Sequence, residues 1–318
     1  MFNQLLLLFL NYARYKRGDA YKERMKYAII IPYFGKWPVW FDLYLKSARE
    51  NECIDFYFFT DCPLPQNIYG NIFFFKYSWD DYCNLVSDRL KITFSSKLPP
   101  YKLCDLKPFY GVIHEDILSK YDYWGYGDID LVYGDLNRTL LKYAVGKDIV
   151  STHGDRLSGH FCLIKNGSLN KKCFSIKRWQ ERLESSRHYG LDENDFSNVL
   201  FPVLRLIKAI RYRLKIKSSL NKDIFWKAIK VTLYSDAFLE EIPTSPRPSV
   251  GEYWIYGNRK VVDQNNQELP YIHFLFFKKT SYWLENKNYW KNGFYKVAKG
   301  INLDTATIKI TNEEIVKI

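Results

Sequence analysis

The chain of 318 residues has few features that would cross-link it, bind a soft metal or carry it through a membrane. Its six cysteines include no C-x-x-C pair and no Cys/His spacing of a zinc site. A chain this long needs no disulfide staples, so the cysteines read as reduced, cytosolic thiols. The apolar run Leu5 to Leu10 is far shorter than the roughly 20 residues of a membrane span. Its basic neighbours Arg14, Lys16 and Arg17 follow the run, the reverse of a secretory signal. This start reads as a short helix packed on the domain or as a weak membrane foot. Internal repeats and low-complexity stretches are missing, and 47% hydrophobic with 26% charged residues excludes disorder, collagen and coiled coil.

Acid is scarce relative to base. With 47 Lys and Arg against 35 Asp and Glu the chain carries +12, which favours polyanionic partners. Much of the excess lies between Leu204 and Lys230, where nine basic residues accompany one acid, Asp223. Val203, Leu206, Ile207, Ile210 and Leu214 fall on one side of a helix there, and Arg205, Lys208, Arg211 and Lys215 on the other. The pattern reads as a surface helix packed on the domain, or as peripheral contact with an anionic membrane through 203–230. Charge concentrated in one segment does not suggest nucleic-acid binding, which spreads cations over a face. Aromatics abound, with Trp 9, Tyr 26 and Phe 22, and suit both core mass and stacking on rings.

Strand and helix patterns alternate. Tyr27 to Ile31 is a buried-strand run stopped by Pro32, and a helix is expected from about Val39 to Asn51. Ile54 to Phe59 and Ile72 to Phe75 read as strands, Asp80 to Lys91 and Lys102 to Ser119 as helices, and Tyr121 to Gly127 as a short strand. This order predicts an α/β fold, a mostly parallel sheet with helices on both faces. Ligands of such sheets bind beyond the carboxyl ends of the strands, so the loops at Pro32, Asp61 and Asp128 are expected on one edge. The expected organisation is an N-terminal helical extension over 1–25, a central α/β domain over 26–280 with a basic insertion at about 199–235, and a tail over 281–318.

Asp128-Ile129-Asp130 carries the sharpest chemistry. Two carboxylates flanking one apolar residue at a strand end reach toward one loop face while the middle side chain turns inward. Such oxygen ligands suit Mg²⁺ or Mn²⁺ beside a diphosphate. A D-x-D triplet by itself also fits a solvated turn.

The order of several motifs resembles glycosyltransferases of the GT-A fold, in particular a bacterial group that builds surface polysaccharides such as capsule and lipopolysaccharide. The carrying residues are Ile29 to Pro38, Phe58 to Asp61, Lys102 to Gly111, Tyr126 to Leu136, Gly159-His160-Phe161 and Tyr271 to Phe274. The resemblance implies a GT-A-like catalytic domain that moves a hexose from a nucleotide sugar, a UDP-hexose, to a saccharide or lipid-linked saccharide, at the cytoplasmic face of a bacterial membrane. It implies Asp128, Asp130 and His273 as metal ligands, with His273 reading equally as a core histidine. Pro32, Tyr33, Phe34 and Asp61 would cradle the nucleotide. Lys102 and Asp105, one helical turn apart, would reach the diphosphate and the ribose or sugar, or form an i,i+3 ion pair. Lys278 or Lys279 would neutralise the diphosphate, or the two form an exposed lysine pair. His160 would touch sugar or lie buried, and Asp192 and Glu193 would touch donor hydroxyls or act as catalytic carboxylates, or simply cap a helix. Two other readings are a phosphatase of the haloacid-dehalogenase type, whose nucleophile motif is also D-x-D, and a non-enzymatic module binding nucleic acid or membrane through the basic segment.

Overall fold

The computed structural model describes residues 25–38, 40–65, 70–202, 213, 237–239, 253–273, 296–297, 305–311 and 314–318. The N-terminal extension before Met25, the basic segment 203–230 apart from Arg213, and the pair Lys278 and Lys279 lie outside the described residues.

The framework is a mixed α/β architecture built on a seven-stranded sheet. Its strands are β1 (Tyr27–Pro32), β2 (Ile54–Thr60), β3 (Ile72–Lys76), β4 (Tyr123–Gly127), β6 (Ile149–Ser151), β7 (Phe161–Lys165) and β8 (Ala237–Leu239), in the order β3-β2-β1-β4-β7-β6-β8. The pairs β1 with β2, β1 with β4, β2 with β3 and β6 with β8 are parallel, whereas β7 runs antiparallel to β4 and β6. Burial on both faces explains why β1 is apolar without alternation: Ala28 and Ile30 enter the cluster on one face, and Tyr27, Ile29 and Ile31 that on the other. Each fully buried isoleucine contributes about 2 kcal/mol of transfer free energy.

Helix α1 (Phe41–Arg49) covers one face through Phe41, Tyr44, Leu45 and Ala48, at the i, i+3, i+4, i+7 spacing of a helical stripe. Helix α2 (Trp79–Leu90) covers the other through Tyr82, Cys83, Val86 and Leu90, and is opened by a Ser78/Asp81 capping box. The helix expected over Lys102 to Ser119 is instead a chain of short turns, 3₁₀ at Pro100–Lys102 and Lys107–Phe109, α-helical at Leu103–Leu106, Tyr110–Ile113 and Glu115–Leu118. Pro108 removes one donor of the ladder and breaks it at this point.

Two smaller sheets complete the structure. Strand β5 (Leu131–Tyr133) pairs antiparallel with β12 (Tyr271–His273). Strands β9 (Tyr253–Gly257), β10 (Lys260–Asp263), β11 (Glu268–Leu269), β13 (Lys296–Val297), β14 (Ile308–Thr311) and β15 (Glu314–Lys317) form a six-stranded sheet in the order β11-β10-β9-β14-β15-β13. Residues on both sides of position 281 thus share one sheet. Among the described residues no helix is long and apolar enough to cross a membrane.

Candidate metal centre

Because β1, β2 and β4 are parallel, their carboxyl ends at Pro32, Thr60 and Gly127 lie on one edge of the sheet. The loop after β1 is fastened there. Tyr33 N donates to Phe59 O at 2.9 Å, and Gly35 N donates to Asp61 Oδ1 at 2.8 Å. The Cys62 thiol donates to Gly35 O at 3.2 Å. Gly35 has φ +115°, a conformation that favours glycine. The Tyr33 ring stacks on Trp37, and its hydroxyl donates to Lys36 O at 2.9 Å. Burial, then Cys62, Asp130 and Asp61, push the Tyr33 phenol up to about 12, so this ring lies within the field of Asp130. Phe34 is buried against Trp79 and Tyr82.

The D-x-D turn follows β4. Asp128 N donates to His160 O at 2.9 Å, and Trp40 Nε1 donates to Ile129 O at 2.9 Å, which pins the turn from both sides. Ile129 is turned into the core, as the alternation required. The segment Leu131 to Tyr133, which reads from sequence as the approach to a turn, is a strand because β12 returns to pair with it. In this register His273 stands opposite Leu131, beside Asp130. His273 Nε2 is 3.5 Å from Asp130 Oδ1, and one ligand atom from each of Asp128, Asp130 and His273 falls within a sphere of pairwise distances below 4.8 Å.

The residues fit a divalent metal. Two carboxylate oxygens and one imidazole nitrogen are ligands that Mn²⁺ accepts readily and Mg²⁺ less so. Octahedral bonds of about 2.1 Å place adjacent ligand atoms about 3.0 Å apart and opposite ones about 4.2 Å apart, so the trio would have to draw together by up to about 2 Å to hold an ion.

His160 is packed against His273. It is buried, its ring stacks on His273 with centroids 4.1 Å apart and 20° between planes, and its nitrogens face Tyr271 Oη at 3.0 Å and Ser158 Oγ at 3.2 Å. Tyr271 Oη in turn meets Thr152 Oγ1 at 2.7 Å. Burial, with His273 and His153 adding to it, holds the His160 pKa well below 6.5, so the ring is neutral. The residue is thus held between His273 and Tyr271.

Lys102 and Asp105 form the i,i+3 ion pair, one of their two readings. Their side chains are fully buried and paired at 2.8 Å. Lys102 Nζ donates further to the carbonyls of Arg182 and Arg187 at 2.5 and 2.6 Å, and Asp105 accepts from the backbone of Tyr189 and Leu191. All three ammonium hydrogens are thus engaged, and the pair fastens the segment 182–191 instead of facing a diphosphate. It is an i,i+3 ion pair, but a buried one.

The cation at the site is Lys107, one turn further on, which sequence reasoning missed. Its Nζ lies 2.6 Å from both Asp128 Oδ1 and Gly159 O, and 3.9 Å from Asp192 Oδ2. Burial opposes its charge, but Asp128, Cys104 and Asp192 outweigh burial and hold it protonated. The available signal was its spacing: Lys107 precedes the proline that breaks the helix, and so turns away from the face that Lys102 and Asp105 share.

Asp192 and Glu193 open a π-helical turn, Leu191–Phe196, that follows Gly190 at φ +65°. Asp192 is buried, and burial, against the pull of Lys107, raises its carboxyl to about 6. Glu193 is more exposed; its Oε1 accepts from Gly159 N at 3.1 Å. A Cβ at Gly159 would lie 2.6 Å from Glu193 Oε1 and 3.1 Å from Asp192 Oδ2, so an alanine here would displace the flexible end of Glu193. Asp128, Lys107, Asp192 and Glu193 therefore form a continuous charged wall.

Comparison with known proteins places the chain in a family. Residues 29–302 match DUF6625, a family of unknown function, and the protein belongs to that family. No curated protein matches the chain. Among solved structures it has a faint likeness to the apo form of the glycosyltransferase GlyE of Streptococcus pneumoniae TIGR4, with 13% identity and a TM-score of 0.28. The matched part covers 69% of this chain and 54% of that one, about half the length of that protein.

Proposed function

We propose that the protein is a metal-dependent glycosyltransferase that moves a hexose from a nucleotide sugar, a UDP-hexose, to a saccharide or lipid-linked saccharide acceptor. The observation that carries this reading is the convergence of Asp128, Asp130 and His273 at the carboxyl edge of a parallel sheet, beside the Tyr33 loop. The sequence resemblance to GT-A enzymes supplies the class, because an α/β sheet alone hosts many chemistries.

In this reading the three side chains hold Mn²⁺ or Mg²⁺. The metal, when bound, supplies charge neutralisation for a departing diphosphate. Tyr33, with its ring braced by Trp37, offers a stacking surface to the nucleotide. Asp61 keeps that loop in shape through Gly35. Lys107 holds Asp128 by one oxygen and leaves the other for the metal. Asp192 and Glu193 stand behind Lys107, and a buried carboxyl near neutrality in pKa is suited to hold or release a proton at the acceptor.

The test is a screen of nucleotide sugars with Mn²⁺, reading binding by calorimetry and slow donor hydrolysis, which needs no acceptor. Uridine-linked hexoses are expected to bind only with metal, and Asp130→Asn is expected to abolish this while leaving the fold intact. Silence across all donors, or hydrolysis of a generic phosphoester without sugar preference, overturns the reading. Peripheral placement at an anionic cytoplasmic leaflet belongs to the same proposal, and flotation of the protein with phosphatidylserine vesicles tests it.

A further inference from the structure

Tyr101 is 66% exposed, more than any other large hydrophobic side chain among the described residues. An exposed phenol ring offers an apolar face on which a partner can stack. Its position is not remote from the site. Tyr101 stands six residues before Lys107 on the same run of short turns. Partial burial raises its phenol, and Cys104, Lys107, Asp128 and Asp192 also act on it. The His188 ring stands at 60° to it with centroids 5.0 Å apart, so the two rings make an open corner.

This corner is held with unusual rigidity. Tyr101 precedes Lys102, whose ammonium is fixed by Asp105 and by Arg187 O. His188 lies between Arg187 and Tyr189, and Tyr189 N donates to Asp105. One fully buried ion pair thus pins the backbone under both rings. A buried ion pair contributes little net stability compared with apolar packing, so its effect here is to fix geometry. Aromatic rings presented on a fixed backbone bind without a large ordering cost.

We propose that Tyr101 and His188 form a saccharide-binding platform at the mouth of the site, where the acceptor sugar stacks its apolar C–H face on the phenol ring. The proposal rests on the glycosyltransferase reading and adds the acceptor subsite to it. His188, whose Nε2 lies 3.9 Å from the buried Asp105, braces the phenol ring from one side. A pyranose seated there lies within one or two sugar units of Lys107 and Asp128.

The experiment uses the full chain with Mn²⁺. Saturation-transfer NMR and calorimetry are run with methyl glycosides of glucose, galactose and N-acetylglucosamine, and in parallel with UDP. Wild type is expected to bind at least one glycoside. Tyr101→Ala is expected to weaken that binding about tenfold and Tyr101→Trp to retain it, with UDP affinity unchanged in both. Equal glycoside binding by wild type and Tyr101→Ala overturns the proposal, as does the absence of glycoside binding by wild type. Loss of UDP binding in Tyr101→Ala also overturns it, by assigning the ring to the nucleotide. Failure of UDP to bind the wild type with metal counts against the transferase reading instead, and is scored separately from the glycoside arm.

Discussion

Replacing Lys107 with methionine keeps most of the stem volume and removes the charge that Asp128 and Asp192 share. Breaking a buried pair by deleting one partner costs about 3 to 5 kcal/mol, because the remaining charge is left in a poorly solvated site. Lys107 lies 2.6 Å from Asp128 Oδ1 and 3.9 Å from Asp192 Oδ2, and both Lys107 and Asp192 are buried. Asp128 retains access to water, so Asp192 carries most of the penalty. It can escape by taking a proton. In wild type its carboxyl is already raised to about 6 from 3.8 by burial, despite the lowering influence of Lys107. A carboxyl raised in the folded state binds a proton that the unfolded chain has released. The stability this gives is complete below about pH 4 and is lost as pH rises through about 6. Without Lys107 the folded-state value climbs further, so the variant pays its full cost only in alkaline solution. Urea unfolding at pH 8 is expected to show Lys107→Met destabilised by about 3 kcal/mol, and at pH 5 by about half of that. Adding Asp192→Asn is expected to recover at least about 1 kcal/mol at pH 8. A deficit below about 1 kcal/mol at both pH values, or one equal at both, refutes the reasoning.

Asp192→Asn alone is expected to flatten the pH dependence of wild-type stability, removing a fall of about 3 kcal/mol between pH 4 and pH 7, as checked by unfolding at several pH values. Gly159→Ala is expected to keep the fold and to push Glu193 and Asp192 out of the wall, with nucleotide-sugar hydrolysis down by at least about tenfold, read by released nucleotide. Lys102→Met is expected to cost about 3 to 5 kcal/mol in urea unfolding and to loosen 182–191 in hydrogen exchange, since the fully buried Asp105 loses its cation. His273→Ala is expected to weaken Mn²⁺ binding about a hundredfold while the circular dichroism spectrum stays that of wild type.

The parallel half of the fold was legible because buried parallel strands leave an unbroken apolar signature, as in Ile29-Ile30-Ile31 and Phe56-Tyr57-Phe58-Phe59. The two carboxylates were legible because D-x-D concentrates their chemistry in three neighbouring residues. His273 was placed only by resemblance, since a β5–β12 pairing across the length of the domain has no local signal. Lys107 was hidden for the opposite reason. Lys102 and Asp105 sit at an attractive helical spacing, and the break at Pro108 that turns Lys107 toward Asp128 shows in sequence but its direction does not. His160 was ambiguous because a buried and a ligand-facing histidine look alike until the stacking partner is known.

The three-residue pairing of β12 with β5 makes the candidate metal centre a late product of the chain. Residues 128 and 130 are synthesised more than a hundred positions before the imidazole that completes the trio. A truncated chain ending ahead of Tyr271 would own two carboxylates and no third ligand, and a slip of a single residue in that pairing would present Ile272 or Phe274 to the cation. The candidate site therefore exists only in a chain that has been finished and paired in this one register.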